Sequence, residues 1–308
     1  MNPPIPQRIL VTGAGGFVGH HLLEAFEKGV FGAAVALVPD AAWDIRSLEA
    51  VRQTVARTVP DAVIHLAAQS FVPRSFEDPA ETLAINAGGT ANLIKALQEC
   101  GFKGRFLYVS SGDIYGLVPE AQLPVDERIM PQPRSPYAVS KWSAEQLCLQ
   151  ARRTHDLDCV IARPFNHVGP GQSDRFVLPS LAGQIAEIEV GLREPVIEVG
   201  DIDSTRDFLD VRDVVAAYTA LLRSAAPGET YVVASGQERS VRELLDLMLS
   251  HTTVKPEIRM DPSRMRSSEQ KRMRADSRRL RIDTGWRPSV ALDTTIKELL
   301  DYARKSKQ

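Results

Sequence analysis

Val11-Thr12-Gly13-Ala14-Gly15-Gly16-Phe17-Val18-Gly19 joins the apolar run Arg8-Ile9-Leu10-Val11-Thr12 to an amphipathic segment. Gly13, Gly16 and Gly19 stand in the spacing GxxGxxG. Without side chains the backbone can turn tightly and approach a pyrophosphate, and the following helix start offers free N–H groups and partial positive charge. A glycine triplet alone says little; directly after a first strand and before a helix, it is in the context that dinucleotide binding requires.

Working outward, short apolar runs alternate with longer helical patterns. Strands are predicted at residues 8–12, 34–38, 62–66, 105–110 and 159–163, and helices at 19–29, 48–58, 79–100 and 137–154. This alternation predicts an α/β fold, a doubly wound parallel sheet of Rossmann type with helices on both faces. Beyond Pro164 the pattern loosens. Gly169-Pro170-Gly171 breaks the chain, helices follow at about 178–190, 211–224 and 240–252, and residues 204–211 form another apolar run. Residues 1–165 with about 205–235 are expected to form the dinucleotide-binding domain. About 166–204 and 236–308 are expected to form a smaller C-terminal substrate-binding lobe.

The 308 residues carry a formal net charge of −2 and are 44% hydrophobic. That favours neither nucleic acid nor an anionic membrane as partner. No apolar run reaches the length of a membrane span. The start of the chain lacks the pattern of a secretory signal. Cys100, Cys148 and Cys159 show no metal spacing and read as thiols of a reducing compartment, so a cytoplasmic location is expected. The histidines show no metal-ligand pattern and read as structural. Residues 255–281 hold ten basic and four acidic residues. They form either a salt-bridged surface or a face toward a polyanionic ligand such as a diphosphate.

Tyr137-Ala138-Val139-Ser140-Lys141 places a phenol and an ammonium at i and i+4, on one helix face. An ammonium near a phenol favours the phenolate, and such a Tyr can exchange a proton with a carbonyl or carbinol near neutral pH. Upstream, Ser110 and Ser111 end a strand, where a hydroxyl can either cap the strand end or bind the same carbonyl oxygen. The acidic residue expected about 20 positions after the glycine loop, on the ribose hydroxyl, is unsettled. Asp40 follows a proline. Asp44-Ile45 can approach the adenine, though Asp44 can equally cap a helix. NADPH or NADH is expected, with the preference undecided.

These segments together resemble the extended short-chain dehydrogenase/reductase family, in its nucleotide-sugar branch. The likeness also runs through His65-Leu66-Ala67-Ala68-Gln69, Ile85-Asn86-Ala87-Gly88-Gly89-Thr90, Arg163-Pro164-Phe165-Asn166, Arg206-Asp207-Phe208 and Thr284-Gly285-Trp286-Arg287-Pro288. The resemblance implies Ser111, Tyr137 and Lys141 as catalytic residues, with Asp113 a further catalytic or substrate-facing residue. It implies cofactor contacts at Gly13, Gly16, Phe17, Val18, Gly19, Asp44, Ile45, Leu66, Ala67, Ala68, Tyr137, Lys141 and Pro164. Substrate contacts are implied at Ser111, Asn166, Arg206, Arg266 and Glu269. It further implies a homodimer through a four-helix interface made by the helices near 86–100 and 137–154. Asn166-His167-Val168-Gly169-Pro170-Gly171-Gln172 and Gly200-Asp201-Ile202-Asp203 resemble members of that branch that reduce a GDP-linked 4-keto-6-deoxy sugar. The activity so implied is reduction of the C4 ketone of GDP-4-keto-6-deoxy-D-mannose to GDP-D-rhamnose. Dehydratases of the branch carry Thr, then Asp or another polar residue, then Glu where this chain has Ser111-Gly112-Asp113, and Gly112 can act as neither acid nor base. A 4,6-dehydratase or C4 epimerase on the same scaffold is the alternative, and a non-catalytic dinucleotide-binding regulator a distant one.

Overall fold

The computed structural model describes residues 6–40, 43–264 and 270–307. Arg266 and Glu269 lie outside them. In chain order the elements begin with β1 (Arg8–Thr12), α1 (Phe17–Glu27), β2 (Val35–Leu37), α2 (Leu48–Thr58), β3 (Ala62–His65), α3 (Val72–Glu77), α4 (Pro79–Leu83), α5 (Gly89–Glu99) and β4 (Arg105–Val109). Next come α6 (Pro136–His155), β5 (Asp158–Pro164), β6 (Asn166–Val168), α7 (Val177–Glu189), β7 (Val196–Val199), β8 (Thr205–Asp210), α8 (Val211–Ser224) and β9 (Thr230–Val233). The chain ends with β10 (Glu238–Ser240), α9 (Val241–Ser250), β11 (Glu257–Met260), α10 (Arg278–Thr284) and α11 (Leu292–Lys305).

The main sheet has six parallel strands in the order β2-β1-β3-β4-β5-β9. Its central strands are apolar at successive positions because helices cover both faces. Ile9, Val11, Leu107 and Val109 pack with α1 and α8 on one face. Leu10, Val63, Phe106 and Tyr108 pack with α2, α5 and α6 on the other. Two small sheets, β10-β8-β6 and β11-β7, lie outside it. A separate core unites β7 with α7, α9 and α11. After β8 has paired in the small sheet, α8 covers the main sheet and β9 joins its edge.

Two helices differ from their expected extents. α1 begins at Phe17 rather than 19, because Gly16 already acts as the N-cap and the last glycine of the loop falls inside the first turn. The stretch expected as one helix over 79–100 contains a π-helical turn at Ala84–Gly88 between α4 and α5. Gly89 sits where a Cβ would come within 2.6 Å of the Ile45 side chain, so helix and loop approach closely there.

Candidate active site

The C-terminal ends of β1, β3, β4 and β5 open onto one edge of the sheet, where an α/β fold of this topology binds its ligands. At β1, Gly13 has φ +75°, and a Cβ there would lie 2.6 Å from the Ala67 nitrogen. At Gly19 a Cβ would lie 2.5 Å from the carbonyl oxygens of Gly13 and Ala14. The loop therefore needs glycine at both positions. Gly16 caps α1 with no side-chain hydrogen bond and no acid in the first turn. The first-turn amides remain open to an anion, so the loop fits a pyrophosphate. Leu66 and Ala67 follow β3 in contact with this loop, and Ala68 comes next in the chain. Thr12 Oγ1 accepts from the Ala67 nitrogen (3.3 Å) and lies 2.6 Å from His65 Nδ1, while His65 Nε2 lies 2.9 Å from Thr90 Oγ1. Thr90 donates to the Asn86 carbonyl (2.6 Å), so it accepts from His65, whose proton then resides on Nε2. Burial, with the Lys141 ammonium nearby, depresses His65 to about 3 and keeps it neutral.

The adenine-side residues are engaged within the protein. Arg46 grips the Asp44 carboxylate through Nε (3.0 Å) and Nη2 (2.7 Å), and Arg57 pairs with Asp40 at 3.1 Å. Ile45 is 5% exposed and packs in the core with α2 and α5.

Ser111 ends the β4 segment and caps a 3-10 turn, Gly112–Tyr115; its Oγ accepts from the Asp113 nitrogen at 3.1 Å. The same side chain stands close to the Tyr137 phenol and favours its ionised form, so the residue that caps the turn also faces Tyr137. Ser110 is buried, and among the described residues its hydroxyl has no hydrogen-bond partner. Tyr137 opens α6 just behind the Ser135 cap, and Lys141 follows one turn later, 3% exposed, with Nζ 4.7 Å from the centroid of the Tyr108 ring. Burial pushes the Tyr137 phenol above its ordinary value. The Asp113 carboxylate adds to this, while the nearby Ser111 hydroxyl opposes it. The lowering of the phenol by Lys141 expected from the sequence is not seen: burial and Asp113 set its titration, and the phenol stays protonated at neutral pH. Burial lowers Lys141 to about 8, and Glu145 pulls it the other way.

The π turn carries Asn86, which sequence reasoning left without a role. Its amide donates to Ser140 Oγ (2.8 Å) and to the Gln69 carbonyl (3.0 Å), and its Oδ1 accepts from the Gln69 nitrogen (2.8 Å). It thus ties α6 to the segment that follows β3. Pro164 ends β5 beside β9, and Asn166 starts β6. Asn166 faces Phe208 across the parallel pair, two residues from Arg206 on β8. Arg206 Nη1 donates to the Thr205 carbonyl at 2.8 Å. Phe17 stacks on His167 with ring centroids 6.2 Å apart, which joins the glycine loop to β6. In the 255–281 segment, Arg259, Arg264, Arg272, Arg278 and Arg279 are ion-paired, as a salt-bridged surface requires.

Gly112 shows what this turn excludes. A Cβ there would lie 3.0 Å from the Phe165 ring, itself stacked on Tyr115 at 6.1 Å. A side chain at 112 would meet this aromatic face.

The profile of the GDP-mannose 4,6 dehydratase family matches residues 40–299. The chain belongs to the extended short-chain dehydrogenases/reductases, in their nucleotide-sugar branch. It is 48% identical over 294 residues to the GDP-6-deoxy-D-mannose reductase of Pseudomonas aeruginosa, covering 96% of each chain. The solved structure of RMD from P. aeruginosa in complex with NADPH matches it with a TM-score of 0.92 at 46% identity, covering 97% of this chain and 99% of that one. The UDP-glucose 4-epimerase of Thermus thermophilus in complex with NAD matches with a TM-score of 0.83 at 29% identity, over 96% and 99% of the two chains. The family thus spans reductases, dehydratases and epimerases, and the chemistry of this site has to choose among them.

Proposed function

We propose that the chain reduces the C4 ketone of GDP-4-keto-6-deoxy-D-mannose with NADPH or NADH, yielding GDP-D-rhamnose. The observation that carries this reading is the Ser111–Tyr137 pair beside a Gly112 closed over by Phe165. It offers one proton donor for a carbonyl and no side chain at 112, and the carboxylate of the turn, Asp113, is one methylene shorter than the Glu that dehydratases of the branch carry there. Dehydration across C5–C6 needs both an acid and a base, whereas carbonyl reduction needs one proton. The likeness to the P. aeruginosa reductase supports the substrate assignment.

The bound nicotinamide cofactor supplies the hydride. Gly13, Gly16, Phe17, Val18 and Gly19 hold its pyrophosphate. Leu66, Ala67, Ala68 and Pro164 border the nicotinamide end, and Asp44 and Ile45 the adenine end. Lys141 holds the nicotinamide ribose. Ser111 orients the C4 carbonyl and Tyr137 donates its proton to the forming alkoxide, leaving the phenolate facing the Lys141 ammonium. Asn166 takes the diphosphate, and Arg206, with Arg266 and Glu269, the nucleotide. Residues 1–165 with about 205–235 serve the cofactor, and about 166–204 with 236–308 the sugar nucleotide. Two copies pair through α5 and α6, a reading supported by exposed apolar side chains nearby: Phe76 on α3, Leu83 on α4 and Val139 on α6. The reaction belongs in the cytoplasm, where a reducing milieu keeps Cys100, Cys148 and Cys159 as thiols.

The test is absorbance at 340 nm with NADPH or NADH and fresh GDP-4-keto-6-deoxy-D-mannose. Stoichiometric loss of reduced cofactor is expected, with product NMR reporting the C4 configuration. Turnover of GDP-mannose without net cofactor consumption would instead assign a dehydratase.

A further inference from the structure

Arg163 and Glu145 form an ion pair whose side chains are 8% and 0% exposed. The fork is bidentate: Arg163 Nε donates to Oε1 (3.0 Å) and Nη2 to Oε2 (2.7 Å). The remaining arm, Nη1, donates to the Tyr115 hydroxyl at 2.9 Å, and the guanidinium lies 5.2 Å from the centroid of the same ring. Removing two charges from water is costly, and a buried pair is weak evidence of stabilisation as such, since apolar residues of similar volume often do as well. What sets this pair apart is what it joins. Tyr115 closes the 3-10 turn that starts behind Ser111 and carries Asp113. Glu145 stands on α6 one turn beyond Lys141 and two beyond Tyr137. Arg163 precedes Pro164, Phe165 and Asn166, and Phe165 seats against both Gly112 and Tyr115. Three chain segments, each bearing site residues, meet on one guanidinium.

We propose that Glu145, Arg163 and Tyr115 form a positioning triad, which fixes the Ser111 turn against the Tyr137–Lys141 helix and presents the Glu145 carboxylate to Lys141. The proposal rests on the reductase reading for its activity assay but not for its spectroscopic one. The groups facing Lys141 are Tyr108 from β4, His65 from β3, and Glu145 and Cys148 from its own helix. His65 is neutral, and burial holds Tyr108 and Cys148 protonated, so the ion-paired Glu145 supplies the negative charge among them.

Three variants of the full-length protein test this: Tyr115→Phe, Glu145→Gln and Glu145→Asp. Tyr115→Phe keeps the ion pair and the ring. It is expected to lower kcat about tenfold, with KM for the keto sugar and Kd for NADPH within about twofold, because a small displacement of the Ser111 turn acts on the chemical step. Glu145→Gln keeps the shape without the charge. A kcat loss of about 100-fold is expected, with the alkaline limb of the kcat–pH profile moved about half a unit or more to lower pH. The Lys141 Cε resonance of 13C-lysine-labelled protein, assigned with Lys141→Met, should titrate lower by the same amount. Glu145→Asp restores the charge but shortens the reach, so the limb and resonance return toward wild type while kcat stays reduced. The proposal is overturned if activity is lost only in proportion to folded protein, as judged by circular dichroism, with kcat per folded molecule and the Lys141 titration unchanged. Should wild type fail to oxidise NADPH with this substrate, the reductase reading falls, and the Lys141 titration in Glu145→Gln still decides on the triad: a shift supports it, and no shift overturns it.

Discussion

In the six-stranded sheet, β1, β3 and β4 bury nearly every residue, and an apolar cluster covers each face. The small sheets are mixed: β8 is buried at four of six positions and shares a second apolar core with β7. β11 is exposed at all four positions, and β8 is held by a buried carboxylate. Asp207 accepts from the Ser235 nitrogen (2.8 Å) and hydroxyl (2.6 Å) and from the Gly236 nitrogen (2.9 Å). Gln270 reaches across to Val118 in both directions, at 2.8 and 2.9 Å. The main sheet is thus built by area, which is non-directional and tolerant of detail. The sheet β10-β8-β6 adds directed polar ties to the apolar core around α7, α9 and α11, and one lost partner there leaves a buried group unpaired. The proposed catalytic residues sit at the seam: Tyr137 and Lys141 on a helix packed to the sheet, Ser111 on a turn joined to the Glu145–Arg163–Tyr115 cluster.

That contrast can be broken where the seam does its chemistry. Tyr137→Phe should lower NADPH oxidation roughly 1,000-fold, the scale of a lost general acid, while fluorescence titration shows NADPH binding intact. A non-catalytic binder would show no such separation. Next in size, Gly13→Ala places a side chain at φ +75° against the Ala67 backbone. Strain of about 1–3 kcal/mol should weaken NADPH binding some 10- to 100-fold, with a smaller effect on the keto-sugar KM.

The pH profile sharpens the comparison. Lys141 is lowered by burial to about 8, so its ammonium is lost as pH rises through that value, whereas the Tyr137 phenol is held up and stays protonated. Above pH 8, kcat should fall about tenfold per pH unit. Lys141→Met should remove the limb and leave a low, flat rate; a limb that survives the substitution would assign it to another group. Gly112→Ala pushes a methyl to 3.0 Å from Phe165. Overpacking there should cost about 1–3 kcal/mol in denaturant unfolding and produce no dehydratase activity on GDP-mannose. The smallest effect belongs to the outer strand: Arg259→Ala removes an exposed pair with Glu257. The melting temperature should move by no more than about 2 °C.

Local chemistry was enough for much of this molecule. The glycine loop declares itself because φ +75° and the contact with Ala67 leave no room for a side chain. The first five strands of the main sheet and the α2 and α8 boundaries follow from periodicity and capping, since Ser47 and Asp210 each cap the helix they precede, whereas the edge strand β9 gave no such signal. The i, i+4 spacing of Tyr137 and Lys141 needs only a helix to bring them to one face. Other features had no local signal. Glu145 repeats the Tyr137–Lys141 spacing once more and was legible as part of that face, but its partner Arg163 lies on a strand and Tyr115 in a turn. The π turn at Asn86 departs from a pattern that reads as plain helix. The phenol's titration depends on burial and on Asp113, neither visible in a Tyr–Lys spacing. The sequence by itself determined the alternating elements of the first half, their order, the missing acid at Gly112 and the residues able to do chemistry, because those depend on neighbours within a few positions. Tertiary structure alone decided which ion pair holds the Ser111 turn and how the phenol is poised, because those depend on side chains brought together from distant parts of the chain, out of water.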